Sequence, residues 1–188
     1  MSDMESRFAA LEKEVRYLRD RREIEDLVHG LGRAMDRFDV EVMTESYHDD
    51  AMDDHGTFAR TPAKEFAAWA NAVHDGGSIL SMHNICTHNC EIDGDTAHAE
   101  SYVMGAMLDR NEETCRFLNG RYLDRLEKRD GRWRIALRRC TVDVVMRGDA
   151  SMMQAKQFKS FGMIKGTRDK NDPSFARPLT MDTPVDTW

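Results

Sequence analysis

The sequence predicts an α+β fold, with helices packed on one face of a curved, mostly antiparallel sheet. Three observations carry this. Up to about residue 75, apolar residues recur every three or four positions, the helical period. From residue 79 the period becomes two, the strand period. Asp93-Gly94-Asp95 and Arg129-Asp130-Gly131 then supply hairpin turns.

Residues 5–37 read as helix. Phe8, Leu11, Val15 and Leu18 alternate spacings of three and four, with charges between them. Two heptads are too few for a free coiled coil, so this amphipathic segment is expected to lie on a partner subunit. Ile24, Leu27, Val28, Leu31, Met35 and Phe38 continue the stripe, with a bend expected near 20–22. Gly30 and Gly32 each weaken this helix by ~1 kcal/mol relative to Ala; they either admit a close neighbour or are tolerated defects.

Asp39 is placed to cap a short helix bearing Val42, Met43 and Tyr47. Ala51 to Phe58 reads as a short polar strand. Thr61 and Pro62 look like cap and first residue of a helix over 62–74, whose apolar residues are Phe66, Trp69, Ala70 and Val73. Strands are expected at 79–92, 96–109, 114–127 and 132–146. A short helix near 150–160 and an extended tail from Gly166 to Trp188 complete the chain. The domain reading is one unit over 1–147, with 148–188 belonging to the same structural unit.

The chain has 188 residues and a formal net charge of −7, enough length for one core and the wrong sign for a broad phosphate-binding surface. No apolar run approaches the ~20 residues of a membrane span. The first residues show no secretory pattern, and the four cysteines, at 86, 90, 115 and 140, read as reduced. A cytoplasmic protein is therefore expected, with neither nucleic acid nor membrane as partner. Thirteen methionines suit either ordinary core filling or an adaptable apolar pocket.

Several polar residues are candidates for chemistry. Asp36 sits beside the apolar stripe near a helix C-terminus, where its charge opposes the helix dipole; it is either functional or simply exposed. Alternation puts His83, Ile85 and Thr87 on one strand face, and Cys86, His88 and Cys90 on the other. The latter set offers zinc-type ligands, but without a common zinc spacing, so no metal is expected. Asp53 shares a face with His55, and Glu100 with Tyr102. One of Arg138 and Arg139 must point inward on a central strand, where it needs a carboxylate partner. Nucleotide-binding, kinase and nucleophile-elbow motifs are absent, so no cofactor is expected and acid–base chemistry by His and Asp remains.

Over residues 20–147 the sequence resembles the SnoaL-like branch of the nuclear-transport-factor-2-like superfamily. The residues that carry the likeness are Ala34-Met35-Asp36-Arg37-Phe38-Asp39, Tyr47-His48-Asp49-Asp50-Ala51, Asp53-Asp54-His55-Gly56, Ser81-Met82-His83-Asn84, Glu91 to Asp95, Glu100 to Val103, Gly120-Arg121-Tyr122 and Asp130 to Ile135. The resemblance implies a cone, a curved mixed sheet wrapped by helices around an apolar pocket. Within the branch, the chain is similar to cofactor-free lyases of the scytalone dehydratase, hexachlorocyclohexane dehydrochlorinase and bile-acid 7α-dehydratase kind.

That likeness implies an Asp36/His83 base dyad, with Asp36 accepting the Nδ1–H and fixing the tautomer. It implies that His55 or Asp53 occupies the second site on the first strand, and that Arg138 is the arginine of the last strand. Dehydratases of this kind carry a tyrosine where this chain has Leu31; His29, seven residues before Asp36, or His55 could take its place. Tyr102 is the remaining candidate for holding substrate. The implied reaction is elimination from a hydroxylated aromatic or polycyclic molecule, by loss of water or by retro-aldol loss of formaldehyde from a lignin-derived diaryl diol. An isomerase in the same pocket and a non-catalytic binding module are the alternatives. The implied assembly is a homotrimer.

Overall fold

The computed structural model describes residues 3–188. Helix α1 spans Asp3–Arg37, α2 Val40–Glu45, strand β1 Tyr47–Asp54, β2 Arg60–Pro62 and α3 Ala63–Gly77. Four long strands follow: β3 Ser78–Asp93, β4 Thr96–Asp109, β5 Thr114–Arg129 and β6 Arg132–Asp149. Beyond them lie α4, Lys156–Ser160, and the small pair β7, Ile164–Lys165, with β8, Asp186–Thr187. The main sheet runs β2-β1-β6-β5-β4-β3. Its pairings are antiparallel except β1 with β6, which are parallel. The architecture is the expected α+β cone of the nuclear-transport-factor-2-like fold.

Turn chemistry explains the long hairpins. Gly94 and Gly131 adopt φ of 59° and 76°, the left-handed backbone that glycine enters at little cost. Curvature comes from irregular pairing. At the β5–β6 shift beside Gly120, a Cβ would stand 1.9 Å from the Thr141 carbonyl oxygen. Only glycine admits that approach.

The core lies between α1, α3 and the inner sheet face. Ile24, Leu31 and Ala34 of α1 meet Phe66 and Ala70 of α3 and Tyr47, Leu126 and Ile135 of the sheet. At the far end of the cone Asp20 accepts hydrogen bonds from Lys128 Nζ at 2.6 Å and Trp133 Nε1 at 3.0 Å. There α1 joins the body.

Several local expectations are corrected. α1 is one uninterrupted helix across 20–22 rather than two, and what changes there is burial, which begins at Asp20. β1 starts at Tyr47 and stops at Asp54, so Phe58 lies outside it. Thr61 belongs to the edge strand β2, and Pro62 takes the cap position of α3 with no side-chain bond. Asp39 makes no capping bond either; its carboxylate accepts from Lys170 Nζ at 2.9 Å.

The extended tail returns to the body through that pair, through Arg37 with Asp172 at 3.3 Å, and through Arg168. The Arg168 guanidinium donates to the carbonyls of Ser78 and His74, where α3 passes into β3. No helix among the described residues is long and apolar enough to cross a membrane.

Candidate active site

A cavity of about 250 Å³ opens between α3 and the inner face of the curled sheet. Two Asp–His pairs serve it, one from each end of the sheet.

The first pair depends on a close helix–strand approach. A Cβ at Gly32 would stand 3.2 Å from Ile85 Cγ1 and 3.4 Å from the His83 carbonyl oxygen. Gly32 therefore lets α1 lie tight on β3, and one turn later Asp36 reaches the strand. Its Oδ1 lies 2.7 Å from His83 Nδ1, and its Oδ2 accepts the His83 backbone N–H at 2.8 Å. A carboxylate only accepts, so Nδ1 carries a hydrogen, and in the neutral ring the other nitrogen is the bare one, with the His83 side chain at the cavity wall. Gly30 has no atom near its missing Cβ and is the tolerated defect of the two.

The second pair lies at the end of β1, with Asp53 on the strand and His55, expected on it, just beyond its last residue. Asp53 is completely buried and accepts the Tyr47 hydroxyl at 2.7 Å through Oδ2. Its Oδ1 lies 2.7 Å from His55 Nδ1, out of line for a good hydrogen bond. Trp69 of α3 packs on the His55 ring, with centroids 5.1 Å apart. Burial, reinforced by the Asp53 charge, pushes the Tyr47 phenol well up and keeps it a donor.

The cavity floor is a buried ion pair. Arg138 binds Asp124 through two bonds of 2.7 Å and stacks on Tyr122, 4.1 Å from the ring centroid. Its Nη1 is buried without a protein partner, and Arg138 borders the cavity. A buried pair of this kind is weak evidence for stability, since desolvation offsets much of the attraction. It does hold an orphan N–H donor in a dry site.

Of the sequence-derived candidates, His83, His55, Asp53 and Arg138 line the cavity, and Asp36 stands behind His83. Three others do not reach it. His29 faces the same way as Asp36 but lies two helical turns, roughly 10 Å, along the axis, and is exposed. Leu31 is fully buried in the core on another face of α1. Tyr102 is 47% exposed on the outer sheet face, between inward-facing Ser101 and Val103.

The Cys86, His88 and Cys90 set is also broken up. A bulge between Ile85 and His88 inserts one residue in β3, which leaves Cys86 exposed while Cys90 is buried. The four cysteines are free thiols. A different trio converges in the cavity: donor atoms of Asp53, His55 and Cys140 lie within 4.8 Å of one another. Arg138, the register partner of Asp53, already places a cation there. Burial pushes the Cys140 thiol up, and a protonated thiol is a poor metal ligand. With Arg138 beside it and a protonated thiol in it, the trio is poorly suited to a metal centre.

Sequence reasoning missed His74, which lines the cavity and packs on His83 with ring centroids 5.0 Å apart. Burial, with His83 and Arg168 nearby, pushes its imidazole down to about 4, so it is neutral at pH 7. The signal was available: His74 follows Ala70 by four and Phe66 by eight, the inward face of α3. Cys140 likewise follows Arg138 by two on β6.

The sequence profile of the SnoaL-like domain matches residues 16–139. A search of curated proteins found no match. Solved structures of the same fold include a putative scytalone dehydratase from Novosphingobium aromaticivorans, at 17% identity and a TM-score of 0.63 over 69% of this chain and 88% of that one. Hexachlorocyclohexane dehydrochlorinase LinA-type3 from Novosphingobium barchaimii matches at 17% identity and 0.67, over 72% and 94%. A putative aromatic ring hydroxylase from Novosphingobium aromaticivorans matches at 17% and 0.61, over 72% and 96%. At such identities these likenesses establish the fold and leave the chemistry to the site.

Proposed function

The chain belongs to the SnoaL-like domain family, and from that premise we propose that it is a cofactor-independent lyase acting on a hydroxylated, largely apolar aromatic or polycyclic molecule. The supporting observation is two imidazoles beside carboxylates, His83 on β3 and His55 just after β1, facing one cavity. One serves as base and the other as acid, which is what elimination requires.

In the proposed reaction, Nε2 of His83 takes a proton from carbon beside the leaving group, and Asp36 stabilises the imidazolium. The C–H electrons form the new double bond. The C–O bond breaks, and a proton from His55 lets the hydroxyl leave as water. For a diaryl diol the same groups support a retro-aldol-type cleavage: His83 takes a hydroxyl proton, formaldehyde departs, and the C–C electrons form the new double bond as the second hydroxyl leaves as water with a proton from His55. The free N–H of Arg138 is available to charge that develops on substrate oxygen. A positioned base contributes ~10²–10⁴-fold to rate. An isomerase remains the second reading, because the same two imidazoles can also relocate a proton without expelling a group. We further propose a cytoplasmic homotrimer.

The test is mass spectrometry of chelator-treated enzyme with hydroxysteroids, lignin-type diaryl diols and small phenolic alcohols. A product lighter by water, with or without formaldehyde, lost in His83→Gln, supports the lyase. A rearranged product of unchanged mass would replace the lyase by the isomerase. Turnover retained in His83→Gln would overturn the assignment of the base.

A further inference from the structure

From Asp3 to Arg19 every residue of α1 is exposed, and burial begins at Asp20. Roughly 25 Å of helix therefore stands away from the body. A helical stretch this short is marginal in water on its own. It nevertheless carries an unbroken apolar seam. Met4, Phe8, Leu11, Val15 and Leu18, spaced four, three, four and three, are 79%, 63%, 59%, 54% and 56% exposed. That is the two-per-heptad pattern of helices that pack on other helices. The stripe that buries α1 against the sheet begins only at Ile24.

The charges beside the seam say what covers it. In a parallel pairing, a residue just before one seam position meets the residue five places later on the neighbour. Arg7 then meets Glu12, and Glu14 meets Arg19; both pairs attract. An antiparallel pairing that sets Phe8 against Leu18 and Leu11 against Val15 opposes Glu12 to Glu12 and Glu14 to Glu14. Both of those repel. We propose that the α1 arm is a self-association surface, on which copies of this chain pack their arms in parallel about a rotation axis. Cyclic symmetry brings the same face of each copy to that axis. Two heptads associate weakly alone, but arms held by their bodies meet at high effective concentration. This inference does not depend on the catalytic reading.

Disulfide trapping in the full chain tests it, with exposed Cys86 replaced by Ser. Leu11→Cys and Leu18→Cys each place one thiol on the seam; Lys13→Cys places one on the opposite side. Mild oxidation is expected to link identical positions 11–11 and 18–18 at least tenfold faster than 13–13, with the bond located by peptide mass spectrometry. In parallel, Arg7→Glu is expected to weaken self-association about tenfold at low salt in sedimentation equilibrium, and Arg7→Glu/Glu12→Arg to restore it. Equal linkage at position 13, no linkage at 11 and 18, or failure of the double charge exchange to restore association would overturn the parallel seam.

Discussion

Asp36→Asn exchanges one oxygen for an amide nitrogen and leaves the shape of the site unchanged. Asp36 accepts two hydrogen bonds from His83, one from the backbone N–H at 2.8 Å and one from Nδ1–H at 2.7 Å. An Asn offers one acceptor and one donor. The backbone N–H cannot change role, and leaving it against an amide N–H would cost about 1–3 kcal/mol. The imidazole can change, because its hydrogen moves to the other nitrogen. The Asn oxygen is therefore expected to face the backbone, and its amide to face Nδ1. His83 then carries its hydrogen on Nε2, and the base disappears from the cavity. A wrong tautomer at an Asp–His pair lowers turnover by about 10⁴-fold, equivalent to ~5 kcal/mol of barrier. Replacing the two charge-assisted bonds by neutral ones should lower folding stability by only about 2 kcal/mol. Two assays read the two links separately. Nitrogen-15 correlation spectra of the neutral ring report the tautomer without any substrate, and product formation reports rate. Spectra in which Nδ1 keeps its hydrogen in Asp36→Asn, or turnover within tenfold of the unaltered enzyme, would refute the reasoning.

His74 should contribute an acid-side loss of stability. Its folded value is depressed to about 4 from an unfolded value near 6.5, so between those limits the unfolded chain binds a proton the folded chain refuses. Stability is therefore unaffected above 6.5 and falls as pH drops toward 4, by up to about 3 kcal/mol; urea midpoints at pH 7 and 4.5 should diverge less in His74→Gln, and parallel profiles would contradict this. The two glycines of α1 should respond oppositely in thermal melts: Gly30→Ala should gain about 0.5–1 kcal/mol, whereas Gly32→Leu should lose about 1–3 kcal/mol by overpacking against Ile85 and slow turnover. Asp124→Asn leaves the buried Arg138 charge uncompensated and should cost about 3–5 kcal/mol; chemical denaturation should show much of that recovered in Arg138→Met/Asp124→Leu.

The long elements were legible because each has a dominant period and strong turn residues. The starts of α3 and of the four long strands fall within one residue of their expected positions. β2 is too short to show a period, and the start of β1 does not alternate, with Tyr47 and His48 buried and Asp49 and Asp50 exposed. Tyr102 was read onto the wrong face for a specific reason: the outer sheet face is itself apolar, with Met82, Met104 and Val144 exposed, so alternation gave no inside and outside. The Asp36–His83 pairing is a contact between distant segments, and only resemblance suggested it. That Arg138 needs a carboxylate followed from its charge; that the carboxylate is Asp124 followed only from the β5–β6 register.

The bulge in β3 has a consequence for chain length. Ile85 faces Val103 and His88 faces Ser101, so three steps on β3 span two on β4. Excising either Cys86 or Thr87 would give an ordinary ladder in which Ile85 and His88 keep their present orientations. Such a chain would be one residue shorter yet retain the same wall around the cavity. Homologues are thus expected to differ in length at this joint without any change in chemistry, and an alignment gap placed between His83 and His88 signals a straightened strand rather than a lost site.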